Sequence, residues 1–350
     1  METLWFCLVA IMIAAYVVLD GFDLGAGIIH FCVARNEVER RTVLRSIGPV
    51  WDGNEVWLLA AGGTLYFAFP SLYASSFSGF YLPLMIVLWL LILRGTSIEF
   101  RNHIESPVWK PIWDAGFMFS SALLAIFFGA ALGNVIRGVP LSPVGEFFLP
   151  LWTHWGVTGE VGILDWYTVL VGLFAFFVLV QHGALWVALK TEAEINQRAR
   201  RVAGVAWIWV VLLTVLTTIV TMQVQPKVWR NLASQPWGFV FPLLAVVGLI
   251  GTLIYRRAGQ SGEVKAFLAS CVYIVGMLTS AVFGVYPYVM PSNTDPARSL
   301  TIYNASTGAY GMAVGLIWWV PGILLVIGYF VFTYRHFAGK IRIGEEGEGY

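Results

Sequence analysis

Four carboxylic acids stand where the surrounding sequence is almost wholly apolar. Asp20 and Asp23 lie three residues apart in VLDGFDLG, and Asp52 and Glu55 repeat that spacing in PVWDGNEVW. Residues three apart on a helix share a face, so each pair offers two carboxyls to one neighbour. Acids inside a membrane segment are costly to bury, and they serve to relay protons, bind cations or tie helices together. Counting from Leu4 at about 1.5 Å per residue places Asp20 about 24 Å along its helix. That is the inner third of a hydrocarbon core about 30 Å thick. A hairpin turning around Asn36 would set Asp20 and Asp52 at similar depth, with Asn54 beside them. This depth favours a functional role for Asp20 and Asp52. Asp23 and Glu55, nearer the mouth and its water, are explained equally by capping and structural hydrogen bonds.

Other ionisable groups are weighed the same way. Arg94, Glu99 and Arg101 in LRGTSIEFR could neutralise or gate the acids, but ordinary flanking charge is the simpler reading. Asp114 is expected to cap the inner end of its helix. His182, following Gln181 deep in an apolar run, is a weak candidate for an axial heme ligand. With no second histidine at matching depth, a hydrogen-bonded structural role is the simpler expectation. His30, His103, His154 and His336 fall near span ends or in loops. Cys7, Cys32 and Cys271 form no close pair and read as small buried apolar residues, so neither a disulfide framework nor a metal site is expected. No HExxH, GxSxG, Walker or GxGxxG pattern occurs, which leaves hydrolase and nucleotide-driven chemistry without support.

The elements that must position these residues follow from composition. The 350 residues are 58% hydrophobic and only 12% charged, with a mean hydropathy of +0.76. Soluble domains carry roughly 25% charged residues, and no soluble core of this size could hide so much apolar surface. The net charge of +1 supplies no field to recruit nucleic acid. The chain reads as an all-α, polytopic membrane helix bundle forming a single domain over residues 1–350, with a short tail from about 335.

A span needs about 20 mostly apolar residues. Nine windows qualify, at 4–31, 49–69, 77–93, 112–135, 164–189, 202–222, 239–255, 266–290 and 312–334. The first carries Glu2 and no basic residue ahead of it, and reads as a span rather than a cleavable leader. Seventeen of the 21 Lys and Arg residues fall on the side reached after spans one, three, five, seven and nine; Arg137, Lys227, Arg230 and Arg298 fall on the other. This asymmetry places the N-terminus outside and the C-terminus in the cytoplasm. Trp5, Trp152, Trp155, Trp166, Trp229 and Trp237 are expected as interfacial anchors at the outer ends. The acidic residues at 345–348 read as a solvated end.

The chain resembles subunit II of the cytochrome bd-type quinol oxidases, essentially end to end. The resemblance rests on Asp20–Gly25 (DGFDLG) and residues 48–57 (GPVWDGNEVW), the second highly specific, with support from FSGFY at 77–81 and PYVMPS at 287–292. It implies a two-part respiratory oxidase of the bacterial cytoplasmic membrane that oxidises quinol and reduces oxygen to water. The partner, subunit I, would carry the b- and d-type hemes. This chain would bind no heme firmly, pack against subunit I and supply part of the route for cytoplasmic protons, making the reaction electrogenic without a pump. Carried over by motif, Asp20 and Asp52 match the acids of that route, with Trp51 and Asn54 beside them and Asp23 and Glu55 near its mouth. Where some relatives have glutamine this chain has Glu55, an added carboxylate. A small single-span subunit, lipid and quinone are further partners that the resemblance brings into view. Two other classes compete. A proton- or cation-coupled transporter would also use buried acids, though no inverted repeat is visible. In a pure scaffold for subunit I, the acids would serve assembly alone.

Overall fold

The computed structural model describes residues 1–341, and the acidic stretch at 345–348 lies outside the described residues. Among the described residues the chain forms twelve α-helices: α1 (Glu2–Val33), α2 (Glu37–Ile47), α3 (Trp51–Ala68), α4 (Pro70–Gly79), α5 (Tyr81–Phe100), α6 (Trp109–Arg137), α7 (Trp166–Lys190), α8 (Ala193–Val224), α9 (Pro226–Ser234), α10 (Val240–Arg257), α11 (Glu263–Val285) and α12 (Ala309–His336). Two short strands, β1 (Tyr288–Met290) and β2 (Leu300–Thr301), pair antiparallel.

Eight of these helices are long and apolar enough to cross a membrane. The window at 49–69 became α3, which is not one of the eight. Asp52, Asn54, Glu55 and three glycines dilute its 18 residues. It nevertheless runs antiparallel to α1 along its whole length. Asn54 meets Leu19 and Asp23, Thr64 reaches Met12, and Phe67 packs on Trp5.

The turn expected at Asn36 is a helix start instead. Asn36 accepts a hydrogen bond from the Glu39 amide at 2.9 Å and caps α2, an eleven-residue helix inserted between α1 and α3. The window at 266–290 stops early. The α11 helix ends at Val285 and the chain turns extended at Tyr288–Met290, between Pro287 and Pro291, which cannot continue a helix.

The centre of the bundle is α1, buried without interruption from Asp20 to His30. Its glycines let neighbouring backbones approach. A Cβ on Gly25 would collide with the Leu179 carbonyl and Gly183 of α7, and one on Gly27 would collide with Ser121 of α6. Gly21 and Gly25, small residues four apart on α1, make this close approach possible. By contrast α12 buries only Met312 and Thr333.

Two sequence expectations about side chains are corrected. Cys7 and Cys32 are exposed on the surface of α1, and Cys271 is half-buried, because all three fall away from the packed stripe. Trp5 is buried, its indole donating to the Met312 carbonyl at 3.2 Å, whereas Trp152, Trp155, Trp166, Trp229 and Trp237 are exposed. Trp5 faces α3 and α12 and not the interface because those helices close over it.

The end opposite the basic residues is closed by a loop between α6 and α7 and by the segment around β1 and β2. Val139 bridges Ser292 across them. Arg137, at the last turn of α6, is buried here against Asp165, the N-cap of α7. The same guanidinium donates to the Gly138 and Gly162 carbonyls and to Asn134. Sequence counting treats Arg137 as a loop charge; in the fold it locks two helices together.

Candidate functional site, a buried acid and arginine array

At the basic end of the bundle, α1, α3, α5 and α12 bring one array together. Asp20 and Arg94 are both fully buried and pair through two hydrogen bonds. Arg94 Nη1 donates to Asp20 Oδ2 at 2.8 Å and Nη2 donates to Oδ1. A fork-to-fork pair of this kind holds both charges in place. One turn further along α1, Asp23 Oδ2 accepts from Asn54 Nδ2 at 2.7 Å, and the same amide nitrogen reaches the Leu19 carbonyl at 3.3 Å. Asn54 Oδ1 in turn accepts from the Tyr334 hydroxyl at 2.9 Å. Asp23 Oδ1 and Arg94 Nε are buried with no hydrogen-bond partner, as is the Tyr16 hydroxyl one turn from Asp20.

The other predicted site residues divide. Trp51 is buried beside Gly95 of α5, its indole N–H unpaired. Glu55 is half-buried and within electrostatic reach of Arg94, Asp20 and Asp52. Asp52 is exposed. With Asn54 opposite Leu19 and Asp23, Asp52 lies level with Asp23, roughly 5 Å along the axis from Asp20. Asp52 therefore lies within one turn of Asp20 in depth but points out of the chain, while Asp23, expected near the mouth, is as buried as Asp20. Spacing fixed the level of these acids and not their direction around the helix. Glu99 is exposed near the end of α5.

Arg101 is not ordinary flanking charge. It is buried, with Nε on Asp114 Oδ1 at 2.6 Å and Nη2 on Oδ2 at 3.1 Å, and it also holds Glu37 of α2. His30 Nε2 sits 2.8 Å from Asp114, and Arg40 adds a longer contact at 3.5 Å. Asp114 thus anchors α1, α2, α5 and α6 rather than capping a helix end, and His30, near the end of its span as expected, is buried in the core. The signal was in the sequence. Asp20, Asp23, Gly27 and His30 recur at helical spacing on one face of α1, and His30 falls roughly 15 Å beyond Asp20. Tyr334 carried no comparable signal, because its partner lies 280 residues away.

His182 is fully buried with both ring nitrogens engaged. Nδ1 meets Ser270 Oγ at 2.7 Å, and Nε2 meets the Val18 carbonyl at 2.8 Å. That leaves neither nitrogen for an axial ligand, in keeping with the structural role. Among the described residues no group of three or more His, Cys, Asp or Glu side chains is arranged to hold a metal ion.

A bundle of long apolar helices with a buried carboxyl and arginine array at one end defines a polytopic membrane protein. Comparison with known proteins narrows the class. The family model for cytochrome bd terminal oxidase subunit II matches residues 1–337. A probable cytochrome oxidase subunit 2 from Haemophilus influenzae is 32% identical, over 97% of this chain and 94% of that protein. The cytochrome bd ubiquinol oxidase subunit 2 of Bacillus subtilis is 30% identical over 97% of each chain. The fold is also that of a chain in the bd oxidase structure from Geobacillus thermodenitrificans, with a TM-score of 0.74 at 19% identity, over 96% of this chain and 98% of that one. The chain belongs to the cytochrome bd terminal oxidase subunit II family. It is accordingly a multi-pass protein of the bacterial inner membrane and part of an oxidoreductase complex that includes a subunit I.

Proposed function

We propose that this chain is the proton-supplying subunit of an oxidase that oxidises quinol and reduces oxygen to water. The b- and d-type hemes belong to subunit I, and the basic end of this chain faces the cytoplasm with its N-terminus outside. Oxygen reduction consumes protons at a site deep in the membrane, and a bare proton faces a large desolvation cost on the way. Carboxyls alternating with water remove that barrier. The observation that carries the reading is the buried array of Asp20, Asp23, Asn54 and Arg94, which continues through half-buried Glu55 to exposed Asp52 on α3. An exposed acid on a bundle helix is not expected to face lipid. The α3 and α12 face, where Asp52 lies and α12 buries almost nothing, is therefore where subunit I covers this chain. Taking protons from the cytoplasm while quinol releases its own outside builds membrane potential without a pump.

The test is Asp52→Asn in the assembled, heme-loaded complex in liposomes. Oxygen consumption and proton uptake should fall together, roughly tenfold or more, with heme content retained. Unchanged uptake would remove Asp52 from the route. Loss of hemes instead of turnover would favour a purely scaffolding role for the acids.

A further inference from the structure

The array holds two buried carboxyls of unlike standing, and a pocket meets the array at Tyr334. Asp20 has both oxygens taken by Arg94. Asp23 has no cation of its own. Its Oδ2 rests on the Asn54 amide, and its Oδ1 is buried with no partner. A carboxyl taken out of water without a counter-charge is relieved by gaining a proton, whereas one clasped by a guanidinium is not.

At the basic end, a pocket of about 70 Å³ opens among the ends of α2, α7 and α12, lined by Arg45, Ser46, Trp186, Lys190, Tyr334 and Phe337. That volume admits a few water molecules. Tyr334 forms the wall between the pocket and the array. Its ring lines the pocket and its hydroxyl donates to Asn54.

We propose that Asp23 Oδ1 is the atom that loads protons in this chain, that the Tyr334 pocket is the intake, and that Asp20 is the fixed counter-charge of Arg94 rather than a relay. Asn54 and Tyr334 are positioning residues. An amide is a poor proton carrier, so Asn54 does not pass the proton. By occupying Oδ2 it leaves Oδ1 to take a proton from hydronium that passes Tyr334 from the intake, giving a neutral acid and water, and to release it onward to water beside Glu55. The inference rests on the proton-uptake reading above and assigns its parts.

The experiment uses the complete oxidase complex in liposomes. It reads turnover per heme, proton uptake, heme content and thermal midpoint. Asp23→Asn is expected to lower turnover per heme and proton uptake roughly tenfold or more while hemes and midpoint stay. The loss in Asp20→Asn is expected to fall on assembly, as a lower midpoint and heme yield, because Arg94 is left without its anion. Tyr334→Phe keeps the ring but frees Asn54, which weakens the bond favouring the charged form of Asp23. The limb of the pH–rate profile governed by Asp23 then moves to higher pH, and Asn54→Leu moves it further. The other charged groups acting on Asp23 remain as they are in these two variants, namely Asp20 on α1, Glu55 on α3 and Arg94 on α5.

An Asp20→Asn variant with the full Asp23→Asn phenotype and intact hemes would overturn the assignment, as would an unmoved pH profile in Tyr334→Phe. Should Asp20→Asn fail to assemble, the Asp23 and Tyr334 variants still decide. If neither Asp23→Asn nor Asp52→Asn lowers proton uptake, the uptake reading itself falls; if Asp52→Asn alone does, only the role of Asp23 falls.

Discussion

The two ends of the bundle each bury an arginine against an aspartate, and they treat the pair in opposite ways. At the far end, Arg137 and Asp165 sit in a closed network. Asp165 Oδ1 caps α7 by accepting the Tyr167 and Thr168 amides at 2.8 and 2.9 Å, and Arg137 spends its remaining donors on two carbonyls and Asn134. No side-chain atom of Arg137, Asp165 or Asn134 is left without a partner. At the basic end, Arg94 Nε, Asp23 Oδ1 and the Tyr16 hydroxyl are buried and unpaired, and the acids outnumber the arginine. A satisfied buried network rigidifies, while an unsatisfied one holds polar atoms at a cost that function must justify. The difference teaches that burial of charge alone does not mark a working site, and the incomplete pairing at the basic end supports placing the proposed route there.

Four measurements would break or sharpen this contrast. The largest effect is expected from Arg137→Ala, which strands buried Asp165 and should cost about 3–5 kcal/mol. It would appear as a much lower thermal midpoint and poor recovery of the complex; a midpoint like the parent's would show the clamp to be no lock. Next comes Gly25→Leu, just past Asp23 on α1, where a side chain must displace the α7 backbone at Leu179 and Gly183. Overpacking of this kind costs about 1–3 kcal/mol or more, read as the same loss of midpoint.

The two buried asparagines then separate the regions directly. Asn134→Leu removes hydrogen bonds to the Ala130 and Ile163 carbonyls and to Arg137, at a cost of about 1–3 kcal/mol. It should lower the midpoint and spare turnover per heme. Asn54→Leu should move the pH–rate profile more than the midpoint, and if both act alike the contrast fails.

The smallest effect is expected at Glu39, outside the spans. Burial tends to raise its carboxyl, but the Arg35 amide and Arg198 outweigh this and hold it below the usual glutamate value of about 4.5. A lowered folded value gives stability that is complete above about pH 4.5 and fades as the pH falls through the folded value. Glu39→Gln should therefore cost about 1 kcal/mol or less at neutral pH, and parent and variant midpoints should converge in acid.

Much of this was legible before any coordinates. Runs of apolar residues gave the helices within a few positions at most ends, because each run must hide its backbone polar groups in a helix of its own. The family motifs singled out the acids that the proposed route uses. The exceptions have local causes. Asn36 was read as a turn although, with Glu39 three residues on, it signals a helix start. Arg94, Arg101 and Arg137 were read by their distance from span ends, which says nothing about whether an acid waits on another helix.

The sequence by itself therefore determined the membrane class, the long helices, the family and the relative level of the acids, since all of these follow from residues near one another in the chain. Only the tertiary structure decided which acid is clasped and which is left open. Asp20 meets Arg94 and Asp114 meets Arg101 and His30, while Asp23 meets Asn54, itself held by Tyr334. Those partners are set by the rotation of α1, α3, α5 and α12 about their axes. That rotation is fixed by packing between distant segments, which no local pattern records.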